Sequence, residues 1–209
     1  MNRVRAFAAI VERAKPLWIS EPFGFSRTYE FGWETNLPAC PGPGSLNTIA
    51  EHAIQVMDVC QRLLLLETTA SSIQARGSIC EADFLNQVCH KANCGVLLDV
   101  TALLVNAINH GFDPLEWLHQ VDRRLIVQLH VSGYSRRDNR CFDEHLSAIQ
   151  EDVWNLVEEV LGYCRPSAVI IEREGSYPPV FAIEGELARL KELSGTFPPR
   201  STDETIRRY

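Results

Sequence analysis

A chain of 209 residues can bury one good-sized core or at most two small ones. With 45% apolar residues and no long low-complexity tract it reads as a soluble globular protein, and its apolar runs fall far short of a membrane span. A net charge of -7 argues against nucleic acid or an anionic membrane as main partner. The seven cysteines are odd in number, scattered and without a Cys-x-x-Cys pair, which points away from a disulfide framework or a thiolate zinc site.

The first element expected is a helix over 4–14, with Val4, Phe7, Ala8 and Val11 on one face. Its charges (Arg3, Arg5, Glu12, Arg13, Lys15) and the lack of a small-residue cleavage site argue against a signal peptide, so a cytoplasmic protein is expected. After Pro16 a short strand, PLWISE, finishes at Glu21. The stretch from there to Ser45 is rich in Gly, Pro and aromatics and reads as one long loop.

Ile49, Ala53, Val56, Met57 and Cys60 mark the next helix, which leads into LLLLE, a strand ending at Glu67. Ser78 and Glu81 form a capping-box pattern for a helix facing inward through Phe84, Leu85 and Val88. Gly95 separates it from VLLD, a strand ending at Asp99. Asp113 followed by Pro114 starts a helix through Leu115 to Leu118. A further strand runs from Leu125 to His130, and a polar loop with Gly133 closes on Asp143 and His145. Ser147 and Gln150 are expected to cap a helix whose stripe is Ile149, Val153, Val157, Val160, Leu161 and Cys164. AVIIE then ends at Glu172. The last helix carries Ile183, Leu187 and Leu190, with Gly195 as its stop. One domain is expected over 1–195, with 196–209 as a loose tail.

Strands alternate with helices and are continuously apolar, as in a parallel sheet covered on both faces. Each of the five readable strands ends in a ligand-type residue: Glu21, Glu67, Asp99, His130 and Glu172. Active groups gather at the C-terminal ends of the strands in a TIM barrel, and no glycine-rich phosphate loop favours a doubly wound sheet instead. The expected fold is therefore α/β, a TIM-barrel-like parallel (β/α) repeat. A full barrel needs eight strands and roughly 250 residues, so an incomplete one is expected.

Glu67, Asp99, His130, Asp143, His145 and Glu172 are carboxylates and imidazoles without a thiolate. Such a mix suits iron, manganese or zinc, and six ligands suit two or more ions bridged by carboxylates. Taken singly, a strand-end carboxylate is as often a helix cap and a histidine as often a plain hydrogen-bonding group. Coincidence across four strands and an Asp-x-His loop is harder to explain that way.

The blocks LLLLETTAS, CGVLLDVTALLVNAINHGFDPLEWL, IVQLHVSGYS, FDEH, QEDVWNLV and VIIEREGSYPP, in this order, resemble the multinuclear non-haem iron-dependent oxidative enzymes. That family includes the methanobactin-biosynthesis oxidase. The resemblance runs from about Pro16 to about Leu193. It implies a TIM-barrel oxidoreductase holding two or three iron ions, with dioxygen as co-substrate. Its substrate would be a cysteine-containing ribosomal peptide or a small thiol, often presented by a recognition partner protein. It further implies Glu67, Asp99, His130, Asp143, His145 and Glu172 as iron ligands, and Glu174 as a catalytic carboxylate near them. His110, Glu21 and Arg173 would stand behind the ligands or fix loops, and the aromatics from Tyr29 to Trp33 would line the substrate path.

Departures from the family pattern are specific. Pro22 follows Ser20 and Glu21 where a histidine ligand is usual. Thr101 and Ala102 replace an Asn-Asn pair, and Thr68 replaces an Asn. The first one or two strands have no counterpart. An open barrel exposes two sheet edges, so an oligomer or partner covering the gap is expected, or else a sequence that starts late. Two other functions fit the same residues. One is a zinc- or manganese-dependent isomerase or hydrolase. The other is a degenerate homologue that binds a peptide without turnover.

Overall fold

The structure, a computed structural model, describes residues 2–27, 32–203, 205 and 209. Helix α1 (Asn2–Ala14) precedes strand β1 (Trp18–Pro22), the hairpin β2 (Gly24–Arg27) and β3 (Gly32–Pro38), and helix α2 (Pro43–Cys60). Then come β4 (Leu63–Glu67), α3 (Glu81–Ala92), β5 (Gly95–Asp99), α4 (Val100–His110) and α5 (Pro114–Gln120). The second half holds β6 (Ile126–Val131), the hairpin β7 (Gly133–Arg137) and β8 (Arg140–Ser147), α6 (Glu151–Tyr163), β9 (Ala168–Ile171) and α7 (Val180–Thr196).

The main sheet has the order β1-β4-β5-β6-β9, and every pairing in it is parallel. Strand order follows chain order, as in a barrel and unlike a doubly wound sheet, which reverses at a switch point. The result is a curled half-barrel of five strands. The five strands are those the apolar runs mark.

Side chains alternate across a strand, so the sheet has two different faces. Leu64, Leu66, Val96 and Leu98 join the large core shared with the helices, together with Phe84, Val88, Val153 and Val157. Leu65, Leu97 and Val127 form a small separate cluster, against which Trp18, Leu63 and Tyr209 pack. Gly95 is required beside this second cluster: a Cβ there would stand 2.7 Å from Leu65 Cδ2 and 2.9 Å from Val127 Cγ2. Two residues beyond Leu65 and Leu97 on the same face are Glu67 and Asp99. The half-barrel thus has an apolar floor and a polar mouth.

Several expectations need correction. The loop after His130 is instead the antiparallel hairpin β7–β8, turned at Asp138 (φ 53°) and Asn139 between the paired Arg137 and Arg140. Residues 22–45 contain the β2–β3 hairpin. Helix α4 is an element that the apolar periodicity does not mark. Cys80, not Ser78, is the N-cap of α3, and Gln150 caps α6 without a side-chain bond to it, because its amide pairs with Tyr134 N and O instead. The stretch read as a loose tail makes contacts: Arg200 N bonds Pro166 O, Thr205 is buried against Ser167, and Asn93 bonds Tyr209 O. Residues 28–31 and the side chain of Trp33 lie outside the described residues, so the expectation for the Tyr29–Trp33 aromatics has no structural counterpart here.

Candidate metal centre

The mouth is assembled from four strand ends and one hairpin. His130 is the centre of one group: its Nδ1 lies 3.0 Å from Glu67 Oε1 and 3.1 Å from Glu172 Oε1. His145 is the centre of the other. Its Nε2 lies 3.1 Å from Asp143 Oδ1 and 4.0 Å from Asp99 Oδ2, and its Nδ1 lies 3.4 Å from Glu172 Oε2. Potential ligand atoms of Glu67, Asp99, His130 and Glu172 lie within 4.8 Å of one another, as do those of Asp99, Asp143 and His145. Asp99 belongs to both groups, and Glu172 reaches both histidines.

Local structure explains how each side chain arrives. Asp99 ends β5 and is also the N-cap of α4: its Oδ1 accepts from Ala102 N at 2.8 Å, leaving Oδ2 for the mouth. The helix-cap role and the ligand role, which a sequence presents as alternatives, are here filled by two oxygens of one carboxylate. Asp143 and His145 ride on β8, where the register shifts between Gly133↔Ser147 and Tyr134↔Asp143. That bulge holds His145 at φ 57°, a left-handed conformation which non-glycine residues rarely adopt and which often marks a functional position. Ser132 Oγ donates to Asp143 Oδ1 at 2.9 Å.

The charges perturb one another strongly. Burial, then the neighbouring Asp143 carboxylate, push the Asp99 carboxyl well above its ordinary range, against the pull of Ala102 N–H, His145 and His130. Burial disfavours a charged His130, but contacts with Glu172 and Glu67 outweigh it and raise the ring to about 9. Hydrogen bonding to Asp143 raises His145 to about 9 against burial, helped by Asp99 and Glu172. Glu172 is lowered, first by its bond to His130.

The remaining predicted residues fall outside these groups. Glu174 has a side chain 77% exposed, with Oε1 3.9 Å from His145 Nδ1, while its backbone N bonds His145 O. His110 Nε2 lies 2.8 Å from Ser71 O, and Asn106 holds the same loop through Ser71 N and Thr69 O. Arg173, 7% exposed, pairs through Nη2 with both oxygens of Glu186. Glu21 is in neither donor group; burial and the Glu67 charge raise its carboxyl. Pro22 pairs in register with Glu67, so the position beside Glu67 offers no ligand.

Sequence reasoning missed the groups behind the ligands. Thr68 Oγ1 accepts from Asp99 N at 3.0 Å, and Thr101 Oγ1 both donates to Ser132 O and accepts from Ser132 N. These two threonines, noted only as departures, brace the mouth. Gln128 Nε2 lies 2.8 Å from His130 Nε2, and Gln128 Oε1 accepts from Trp18 Nε1 at 2.8 Å. A glutamine inside an apolar strand run was the available signal.

The residues fit divalent metal. All donors are nitrogen or oxygen, carboxylates crowd one another in a buried mouth, and His145 Nδ1 is buried without a hydrogen-bond partner. A cation among them would offset both the burial and the Asp143 repulsion that raise Asp99.

Comparison with known proteins agrees with the fold. The crystal structure of the IOLI protein with a binding zinc atom superposes with a TM-score of 0.60, covering 94% of this chain and 69% of that one, at 13% identity. That likeness speaks for the fold. In sequence, the chain is 30% identical over 198 residues to a UPF0276 protein of Caulobacter vibrioides, covering 93% of this chain and 71% of the relative. A UPF0276 protein of Chromobacterium violaceum is likewise 30% identical, over 92% of this chain and 70% of its own length. The model of the family described as RiPP precursor modification enzyme MbnB/TglH/ChrH matches residues 1–194. With that match over most of the chain, and the resembling blocks lying on the strands that form the mouth, this protein belongs to the MbnB/TglH/ChrH family of RiPP precursor modification enzymes.

Proposed function

We propose that this protein is an iron-dependent oxidase that holds two or three ions and uses dioxygen to modify a cysteine-containing ribosomal peptide or a small thiol. The observation carrying the reading is that two donor groups share Asp99, which suits adjacent cations bridged by a carboxylate. Glu67, His130 and Glu172 would hold one ion, and Asp143 with His145 another. Bound there, iron supplies the electron-transfer and dioxygen chemistry that side chains lack. Glu174 stands at the exposed lip, where its carboxylate is placed to accept or return a proton. The Tyr29–Trp33 aromatics are proposed to line the substrate path, with a partner protein presenting the peptide.

The test is anaerobic reconstitution with ferrous iron, followed by dioxygen uptake in the presence of a cysteine-containing peptide. Uptake that depends on the peptide and on iron, and that falls at least tenfold in Glu174→Gln, supports the proposal. Protein that stays metal-free under those conditions sinks it. A second reading, a zinc- or manganese-dependent isomerase or hydrolase, draws on the same donor set and on the zinc named for the structural neighbour. A redox-inert ion recovered after native expression would favour it. Pro22 beside Glu67 favours a third, a peptide-binding homologue without turnover, which measurable uptake would eliminate.

A further inference from the structure

The face of β6 that carries His130 also carries a residue with no part in holding metal. A register shift between the Val96↔Ile126 and Leu97↔Gln128 pairings leaves Val127 as an extra residue, and such bulges re-aim the side chains beside them. Gln128, 7% exposed, is caught between two partners: Trp18 Nε1 at 2.8 Å from its Oε1 and His130 Nε2 at 2.8 Å from its Nε2. An indole N–H can only donate, so the amide carbonyl must face Trp18 and the NH2 must face His130. A ring nitrogen that meets an N–H is the one without a hydrogen. A singly protonated His130 therefore carries its hydrogen on Nδ1, between Glu67 Oε1 and Glu172 Oε1. Yet Nδ1 is the nitrogen that points among the carboxylates. A cation held by His130 needs that lone pair free and the hydrogen on Nε2.

We infer that Gln128, held by Trp18, is a positioning residue that keeps a singly protonated His130 in its Nδ1–H form, and that loading a divalent cation at Nδ1 of that form requires the Gln128 amide to turn its carbonyl toward Nε2–H. Only the second half of this inference rests on reading the mouth as a metal centre. Above the value near 9 to which the ring is raised, it holds one hydrogen before and after: Nδ1 gives one up as the cation arrives, and Nε2 gains one. The Trp18 indole must then share Gln128 Oε1 with the ring or lose it, so metal affinity is set partly by a residue remote from every ligand.

Histidine ring nitrogen NMR on the metal-free protein tests the first half. At roughly pH 10, above the value near 9 to which the ring is raised, the wild type should show the Nδ1–H pattern for His130. Gln128→Glu, whose carboxylate can accept from both neighbours, should show the Nε2–H pattern. An Nε2–H wild type, or one pattern in both proteins, would overturn the inference. Zinc titration at the same pH, from a chelator-buffered stock, tests the second half. Trp18→Phe frees the amide to turn, so it should bind Zn2+ roughly three- to tenfold more tightly than wild type, the worth of one hydrogen bond. Equal affinity would overturn the coupling. A changed ring pattern with no Zn2+ bound by either protein would instead leave the positioning role standing and defeat the metal-centre reading.

Discussion

Asp99 separates two jobs that a single substitution can tell apart. Its Oδ1 caps α4 and its Oδ2 faces the mouth. Asp99→Asn keeps an oxygen for Ala102 N–H and replaces a carboxyl whose charged form burial and Asp143 already disfavour, so the metal-free protein should unfold at the same or higher denaturant concentration while its metal content drops. Asp99→Ala should lose the cap as well, at about 1 kcal/mol. Urea denaturation of both variants reads the difference. The histidines give a pH prediction. His130 and His145 are raised to about 9, above the 6.5 of an unperturbed ring, so their stabilisation is complete below pH 6.5 and is lost as pH rises through 9. The metal-free protein should therefore lose stability across that window, and bound zinc should abolish the slope, both followed by thermal melts. At this scale the six clustered residues were legible, because ligand types at the ends of apolar runs stand out. Gln128 and Trp18 were not, since their contact spans 110 positions and appears only once β1 and β6 share a sheet.

Among the elements, the β7–β8 hairpin decides whether the second donor group exists. Its strands diverge from simple pairing at Gly133, where a Cβ would stand 2.2 Å from Ser147 O and 2.4 Å from Ala148 O. Gly133→Ala must push β8 outward and carry Asp143 and His145 with it. The expected outcome is a loss of about 2 kcal/mol or more in stability and of metal at the Asp143–His145 group, with the Glu67–His130–Glu172 group kept. Elemental analysis beside urea denaturation checks it. The parallel strands were readable because a sheet buried on both faces leaves unbroken apolar runs. The hairpin was not. Its strands are polar, and its Asp138–Asn139 turn is a weaker signal than Asn-Gly or Asp-Gly. Helix α4 escaped because Val100 to Ala107 is apolar nearly all round, as befits a helix packed among the hairpin, α6 and β6.

As a whole, the molecule is half of a barrel. Among the described residues β1 and β9 each have one strand neighbour, and Ile170 on β9 is 44% exposed. Open parallel edges invite pairing, so we propose self-association as their cover. Sedimentation should then report a species heavier than the 23.6 kDa monomer, with Ile170→Glu shifting it toward monomer. No described helix is long and apolar enough to cross a membrane. One mouth gathers two donor groups around a shared Asp99, and we propose that each holds an ion. Iron per chain after anaerobic reconstitution is the deciding measurement. At least two ions are expected in the wild type, with one lost in the Asp143→Ala, His145→Ala double variant. A wild type without bound iron, or a double variant with undiminished iron content, would contradict it.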